Sequence, residues 1–129
     1  MAAPGEGFYP QQALLEAYGN GGFRFAGMSH RGSILCLPNG IHAWDVTDAK
    51  DVTRASLELV LSMADQIDVL LIGLGHDIAR LDPDIRAALR ERQVIVEAIS
   101  TGSAVRTYNI LLGEQRQVAA ALIAVENAR

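Results

Sequence analysis

Cysteine is nearly absent. Cys36 is the single one in 129 residues, so no intramolecular disulfide can form, which fits a reducing compartment. It lies in the apolar run Ile34-Leu35-Cys36-Leu37, where a thiol serves as a small core residue rather than a nucleophile. Aromatic residues make up only 5% of the chain, leaving Ala, Val, Leu and Ile to build the core. No apolar run approaches the roughly 18–20 residues needed to cross a bilayer, and the longest, Val118–Val125, falls far short. Met1–Gln12 lacks the basic start and apolar centre of a secretory signal; it also lacks the arginines of a mitochondrial presequence and carries Glu6. The expectation is a soluble, cytoplasmic protein without a transmembrane segment. A basic stripe is missing too. The net charge is −4, and neutralising phosphates needs clustered Lys and Arg, so nucleic acid is not the expected partner. Arg86, Arg90 and Arg92 sit in a predicted helix beside Glu91 and read as a solvated face.

Several chemistries are excluded by what their motifs lack. His30, His42 and His76 have no metal-ligand spacing, and a structural zinc site needs about four ligands, so no metal is expected. Gly73-Leu74-Gly75-His76-Asp77-Ile78 begins like a dinucleotide fingerprint but has Ile78 where the third glycine belongs. Its helix also starts too late, near Pro83, and no cofactor is expected. Ser33, Ser100 and Ser103 lie in no nucleophile elbow and have no identifiable His–Asp set, and there is no phosphate-binding P-loop. No catalytic residue is assigned, and the expectation leans away from an enzyme.

Half of the residues are hydrophobic and 20% are charged, the balance of a globular domain long enough to fold without metal or disulfide. Residues 1–12, with Pro4, Gly5, Gly7 and Pro10, read as an irregular arm; residues 13–129 read as a single α/β domain. Leu14–Tyr18, Phe23–Ala26, Ile34–Leu37 and Ile41–Val46 read as short strands. They are separated by turns at 19–22, at His30–Ser33 and at Pro38-Asn39-Gly40, most simply an antiparallel meander. After residue 50 the period changes. Thr53 is placed to cap a helix whose buried face carries Leu57, Val60, Leu61 and Ala64. Ile67–Ile72 reads as a buried strand. Asp82-Pro83-Asp84 starts a helix with Ile85, Ala88 and Leu89 inward, and Val94–Ile99 is a further strand. A helix follows with Ala104, Tyr108, Leu111 and Leu112 on one face and Gly113 at its end. In Gln117–Val125, alternation places Val118, Ala120, Leu122 and Ala124 on one face of a strand, although its four alanines favour a helix; the strand is preferred.

The strand–helix–strand order implies a parallel βαβ unit, and ligands in such sheets bind beyond the carboxyl ends of the strands. Those ends are Gly73-Leu74-Gly75 and Ser100-Thr101-Gly102, expected side by side. The stretch Ile95–Asn109 enters a helix through small polar residues, where unpaired N–H groups and the dipole favour an anion. Helical side chains lean towards the N-terminus, so Arg106 can reach back over Thr101–Ser103, with Ser103 and Asn109 on its face. The candidate ligand-binding set is Gly73, Gly75, Thr101, Gly102, Ser103, Arg106 and Asn109. The other reading makes Arg106 a polar lock, paired with Glu97 or Asp77.

The segment TGSAVRTYNILLGEQRQVAAALIAV resembles the C-terminal signature of a family of small domains. That family includes bacterial and archaeal proteins of unknown function and, in mitochondria, assembly factor 3 of respiratory complex I. Gly32-Ser33-Ile34-Leu35, Pro38-Asn39-Gly40, Trp44, Gly73, Gly75 and Arg86-Ala87-Ala88-Leu89-Arg90 fit the same pattern, over residues 14–125. The resemblance implies a layered α/β domain with a mixed sheet flanked by helices, and a strand at Gln117–Val125. Relatives commonly have cysteine immediately before the arginine, where this chain has Val105, so cysteine chemistry is unavailable there. The functional expectation that the resemblance implies is a non-enzymatic interaction or assembly factor for respiratory-chain complexes, with an unknown protein partner. The alternative is a small-anion or metabolite-binding protein or enzyme using the 73–77 and 100–106 loops.

Overall fold

The computed structural model describes residues 8–76 and 80–128. Among these residues the strands are β1 (Phe8–Tyr9), β2 (Leu15–Gly19), β3 (Gly22–Phe25), β4 (Met28–Arg31), β5 (Ser33–Leu37), β6 (Gly40–Trp44), β7 (Val69–Gly73), β8 (Ile95–Ile99) and β9 (Val118–Leu122). The α-helices are α1 (Glu58–Ser62), α2 (Pro83–Glu91) and α3 (Thr101–Gly113). A mixed sheet has the order β1-β6-β5-β9-β7-β8, and a second sheet is an antiparallel ribbon, β2-β3-β4.

The middle of the mixed sheet is β9, antiparallel to β5 and parallel to β7. All five of its residues, VAAAL, are buried. Val118, Ala120 and Leu122 join the core on the α3 side, and Ala119 and Ala121 join the other, the alternation a pleated strand requires. The short alanine side chains leave room for Tyr108 in one core and Trp44 in the other. A strand buried on both faces reads as a near-continuous apolar run, which explains why its periodicity was also compatible with a helix.

Two crossovers build the sheet's second half. Between β7 and β8, α2 buries Ile85, Ala88 and Leu89, and Ile85 and Leu89 join the core of Leu70, Ile72 and Val96. Asp82 accepts from the Asp84 N–H at 2.9 Å, and Pro83 holds the first turn. Between β8 and β9, α3 crosses the opposite face and packs on Leu71, Ala120 and Leu122. The result is three layers with two cores.

Four expectations need correction. The N-terminal strands do not form one meander: β2–β4 make their own ribbon, while β5 and β6 join the mixed sheet. Met28–Arg31 is a strand, so the turn expected over His30–Ser33 shrinks to the region of Gly32 (φ +99°). Within the expected irregular arm, Phe8–Tyr9 pairs with β6; residues 1–7 lie outside the described residues. The helix expected after Thr53 is broken into 3-10 turns at Ala55–Leu57 and Ala64–Gln66 around the short α1, although Leu57, Val60 and Ala64 are buried as expected.

Candidate functional site

The loops after β7 and β8 do meet. The Leu74 N–H donates to the Ile99 carbonyl at 2.8 Å, and the Thr101 N–H donates to the Gly75 carbonyl at 2.9 Å. Thr101 itself is fully buried. Its hydroxyl donates to the Ile123 carbonyl at 2.7 Å and accepts from the Gly75 N–H at 3.0 Å. The Ile123 N–H in turn donates to the Gly73 carbonyl at 3.0 Å. One hydroxyl thus joins the carboxyl ends of β7 and β9 at the start of α3. The close approach needs glycine at 73: a Cβ there would lie 2.9 Å from the Thr101 Cα and 3.0 Å from a Leu122 methyl.

The N-terminal donors of α3 are largely engaged within the chain. Ser100 caps the helix, its Oγ accepting from the Ser103 N–H at 3.3 Å. The Ala104 N–H is bonded to the Ser100 carbonyl at 2.9 Å. Gly102 is buried behind them. Arg106 is exposed and leans back as its helical position requires, Nη2 reaching Ser103 Oγ at 3.4 Å. Asn109, expected on the same polar face, turns to the ribbon. Its Oδ1 accepts from the Leu15 N–H and its Nδ2 donates to the Leu15 carbonyl, both at 2.8 Å. The side-chain amide therefore imitates a strand partner for β2.

Gly102 is buried in the first turn of α3, and the other six candidate residues divide into three groups. Gly73, Gly75 and Thr101 form one hydrogen-bonded node, Ser103 and Arg106 form an exposed pair beside it, and Asn109 joins the ribbon to α3. Gly75 has φ +95° with open space where a Cβ would stand. Asp77 lies outside the described residues, and Glu97 is exposed on β8. Thr101 and Asn109 make polar ties between elements here.

Below this surface Tyr108 points inward as expected and is fully buried. Its hydroxyl meets no partner at hydrogen-bonding geometry; the Cys36 thiol is its polar neighbour. Burial pushes the Cys36 thiol far above its usual range, and the Tyr108 hydroxyl offsets only part of that. Burial, and then the nearby Cys36, raise Tyr108 as well. Both groups stay neutral, so this thiol is inert at ordinary pH. Trp44 is also buried, its indole N–H donating to the Ser56 carbonyl at 2.8 Å.

A feature missed from the sequence lies on α2. Arg80, Arg86 and Arg90 line a cleft of about 470 Å³ with Leu81, Pro83 and Ala98. Arg86 is half-buried and its Nη1 donates to the Val96 carbonyl at 3.1 Å. The helical spacing of Arg86 and Arg90 was the available signal, and the solvated-face reading passed over it. Among the described residues no helix is long and apolar enough to cross a membrane.

The chain is 38% identical over 126 residues to an uncharacterized protein of Rhodobacter capsulatus, covering 98% of this chain and 96% of that one. It is 37% identical over 110 residues to NADH dehydrogenase [ubiquinone] 1 alpha subcomplex assembly factor 3 of Xenopus tropicalis, covering 85% of this chain. The chain spans only 60% of that assembly factor's length. Among solved structures, one described as an outer membrane protein from Bartonella henselae superposes with a TM-score of 0.88 at 52% identity, over 92% of this chain and 99% of that one. The pattern of the family described as protein of unknown function (DUF498/DUF598) matches residues 15–123, and the chain belongs to that family.

Proposed function

We propose that this chain is a non-catalytic protein-interaction or assembly factor serving respiratory-chain complexes. The observation that carries this reading is the 37% identity to complex I assembly factor 3 over 85% of the chain, which spans the two-core fold. The loops where catalysis would be expected support it as well. Thr101, Ser100 and Asn109 spend their hydrogen-bonding groups on the fold. The cytoplasm is the setting proposed, consistent with the single buried, reduced cysteine.

The second reading, a small anion or metabolite held by the 73–77 and 100–106 loops, has one observation in its favour. Arg106 is exposed and leans over Ser103 near the positive end of α3. Engagement of the Thr101, Ser103 and Ala104 N–H groups within the chain weighs against it.

Affinity capture with tagged wild type and Arg106→Ala, paired with a thermal-shift screen of metabolites, separates the two. The interaction reading expects a partner retained by both proteins and no ligand shift. A metabolite that raises the melting temperature of wild type but not of Arg106→Ala would overturn it in favour of the second.

A further inference from the structure

We infer that the outer edge of β8, with the arginine cleft beside it, is a docking site for an extended acidic segment of a partner protein. The inference rests on the protein-interaction reading and names the surface and the chemistry that reading lacks.

The sheet ends at β8 among the described residues. The Ile95 N–H donates to the Asp68 carbonyl at 2.9 Å, and the Ile99 carbonyl accepts from the Leu74 N–H. Ile95, Glu97 and Ile99 therefore turn their backbone groups towards β7. In a parallel ladder the alternate residues, Val96 and Ala98, turn theirs outward. An edge of this kind is a template for a further strand unless it is covered. Here the cover is partial, since Arg86 occupies the Val96 carbonyl.

The two sides of the edge differ chemically. Val96 faces the α2-side core, and on that side Ala98 borders the cleft of Arg80, Arg86 and Arg90. Three guanidinium groups gather there on a chain of net charge −4. Among the described residues, the carboxylates of the same region, Asp82, Asp84 and Glu91, are exposed and do not line the cleft. On the opposite side Ile95 is 64% exposed. Side chains of an added strand alternate between these sides. The complementary segment therefore carries acidic residues at one parity, against the arginines, and apolar residues at the other, beside Ile95. A second copy of this chain fits poorly, because pairing β8 with β8 would bring two arginine clefts together.

The test uses the full chain and a fluorescent peptide of alternating Glu and Val. The controls are the same peptide N-methylated at every second residue and a Lys/Val peptide. The expected result is saturable binding of the Glu/Val peptide, at least about tenfold weaker for both controls, with amide NMR shifts centred on Val96 and Ala98. The variant Arg80→Glu/Arg90→Glu, at exposed positions, is expected to lose binding about tenfold or more while retaining its melting temperature. No binding at millimolar peptide, equal binding of the Lys/Val peptide, or β8 shifts that follow protein concentration alone would overturn the proposal. Partner capture with no peptide binding would sink this docking site and leave the interaction reading standing. Peptide binding without a captured protein partner would count against that reading alone.

Discussion

The Thr101 hydroxyl donates to the Ile123 carbonyl across 22 residues of sequence, at 2.7 Å and fully buried. It also accepts from Gly75, so Thr101→Val leaves one buried acceptor and one buried donor without this partner. Each such group costs about 1–3 kcal/mol, and the variant is expected to lose about 2–4 kcal/mol in urea unfolding while keeping its fold. Thr101→Ser retains the hydroxyl and should lose less. Gly73→Ala tests the same junction from the other side, since its Cβ would press on Thr101. A loss of about 1–3 kcal/mol is expected.

Asn109 makes a two-bond clamp on Leu15. Asn109→Ala removes both bonds, with an expected loss of about 1–3 kcal/mol. Asn109→Asp should be worse, because a carboxylate oxygen would face the Leu15 carbonyl in place of the amide N–H. Hydrogen exchange gives the distinguishing readout. Protection should fall first in β2 and β3, with β7 and β9 little changed.

The β3–β4 turn contains Ala26 at φ +52° followed by Gly27 at φ +73°. Left-handed backbone costs an L-residue about 1–2 kcal/mol, and asparagine tolerates it better. The β2–β3 turn already uses Asn20-Gly21, at φ +53° and +74°. Ala26→Asn gives both hairpins the same turn chemistry and should stabilise the protein by about 0.5–1 kcal/mol, read as a higher melting temperature.

His42 is half-buried on β6, its ring tilted against Phe8 at 4.6 Å between centroids and its Nε2 at 2.7 Å from Asn39 Oδ1. Burial lowers its pKa below 6.5. As the pH falls below that value, the unfolded chain takes up the proton before the folded one does. Stability from this group is thus full above 6.5 and falls as the pH drops towards the folded pKa. Proton NMR titration should show His42 titrating below 6.5. Denaturation at pH 7 and pH 5 should show a smaller acid loss for His42→Gln.

The parts of this fold legible in the sequence are those with local causes. Asp82-Pro83 announces α2 through one cap and one fixed φ. Gly73 and Gly75 mark the end of β7, and the period of Ala104 and Tyr108 gives the buried face of α3. What was illegible depends on distant partners. Asn109 and Leu15 are 94 residues apart, so no local pattern could show that the amide belongs to β2. Met28–Arg31 has one large apolar residue in four and is a strand because β3 pairs with it. The strand expected at Val94–Ile99 lies at the edge of the sheet among the described residues, as β8, and leaves Ile95 and Glu97 exposed. Strand order sets that exposure, not composition. At Gln117–Val125, alternation and the family resemblance both favoured the strand over the helix that its alanines suggest, and β9 is a strand.

The most direct test of the assembly reading is the amount of fully assembled NADH dehydrogenase, resolved on native gels, in cells of the source organism deleted for this gene. Less assembled complex with accumulated subcomplexes is expected, restored by the wild-type gene. Assembled complex at the parental level, with unchanged NADH oxidation by isolated membranes, would contradict that reading.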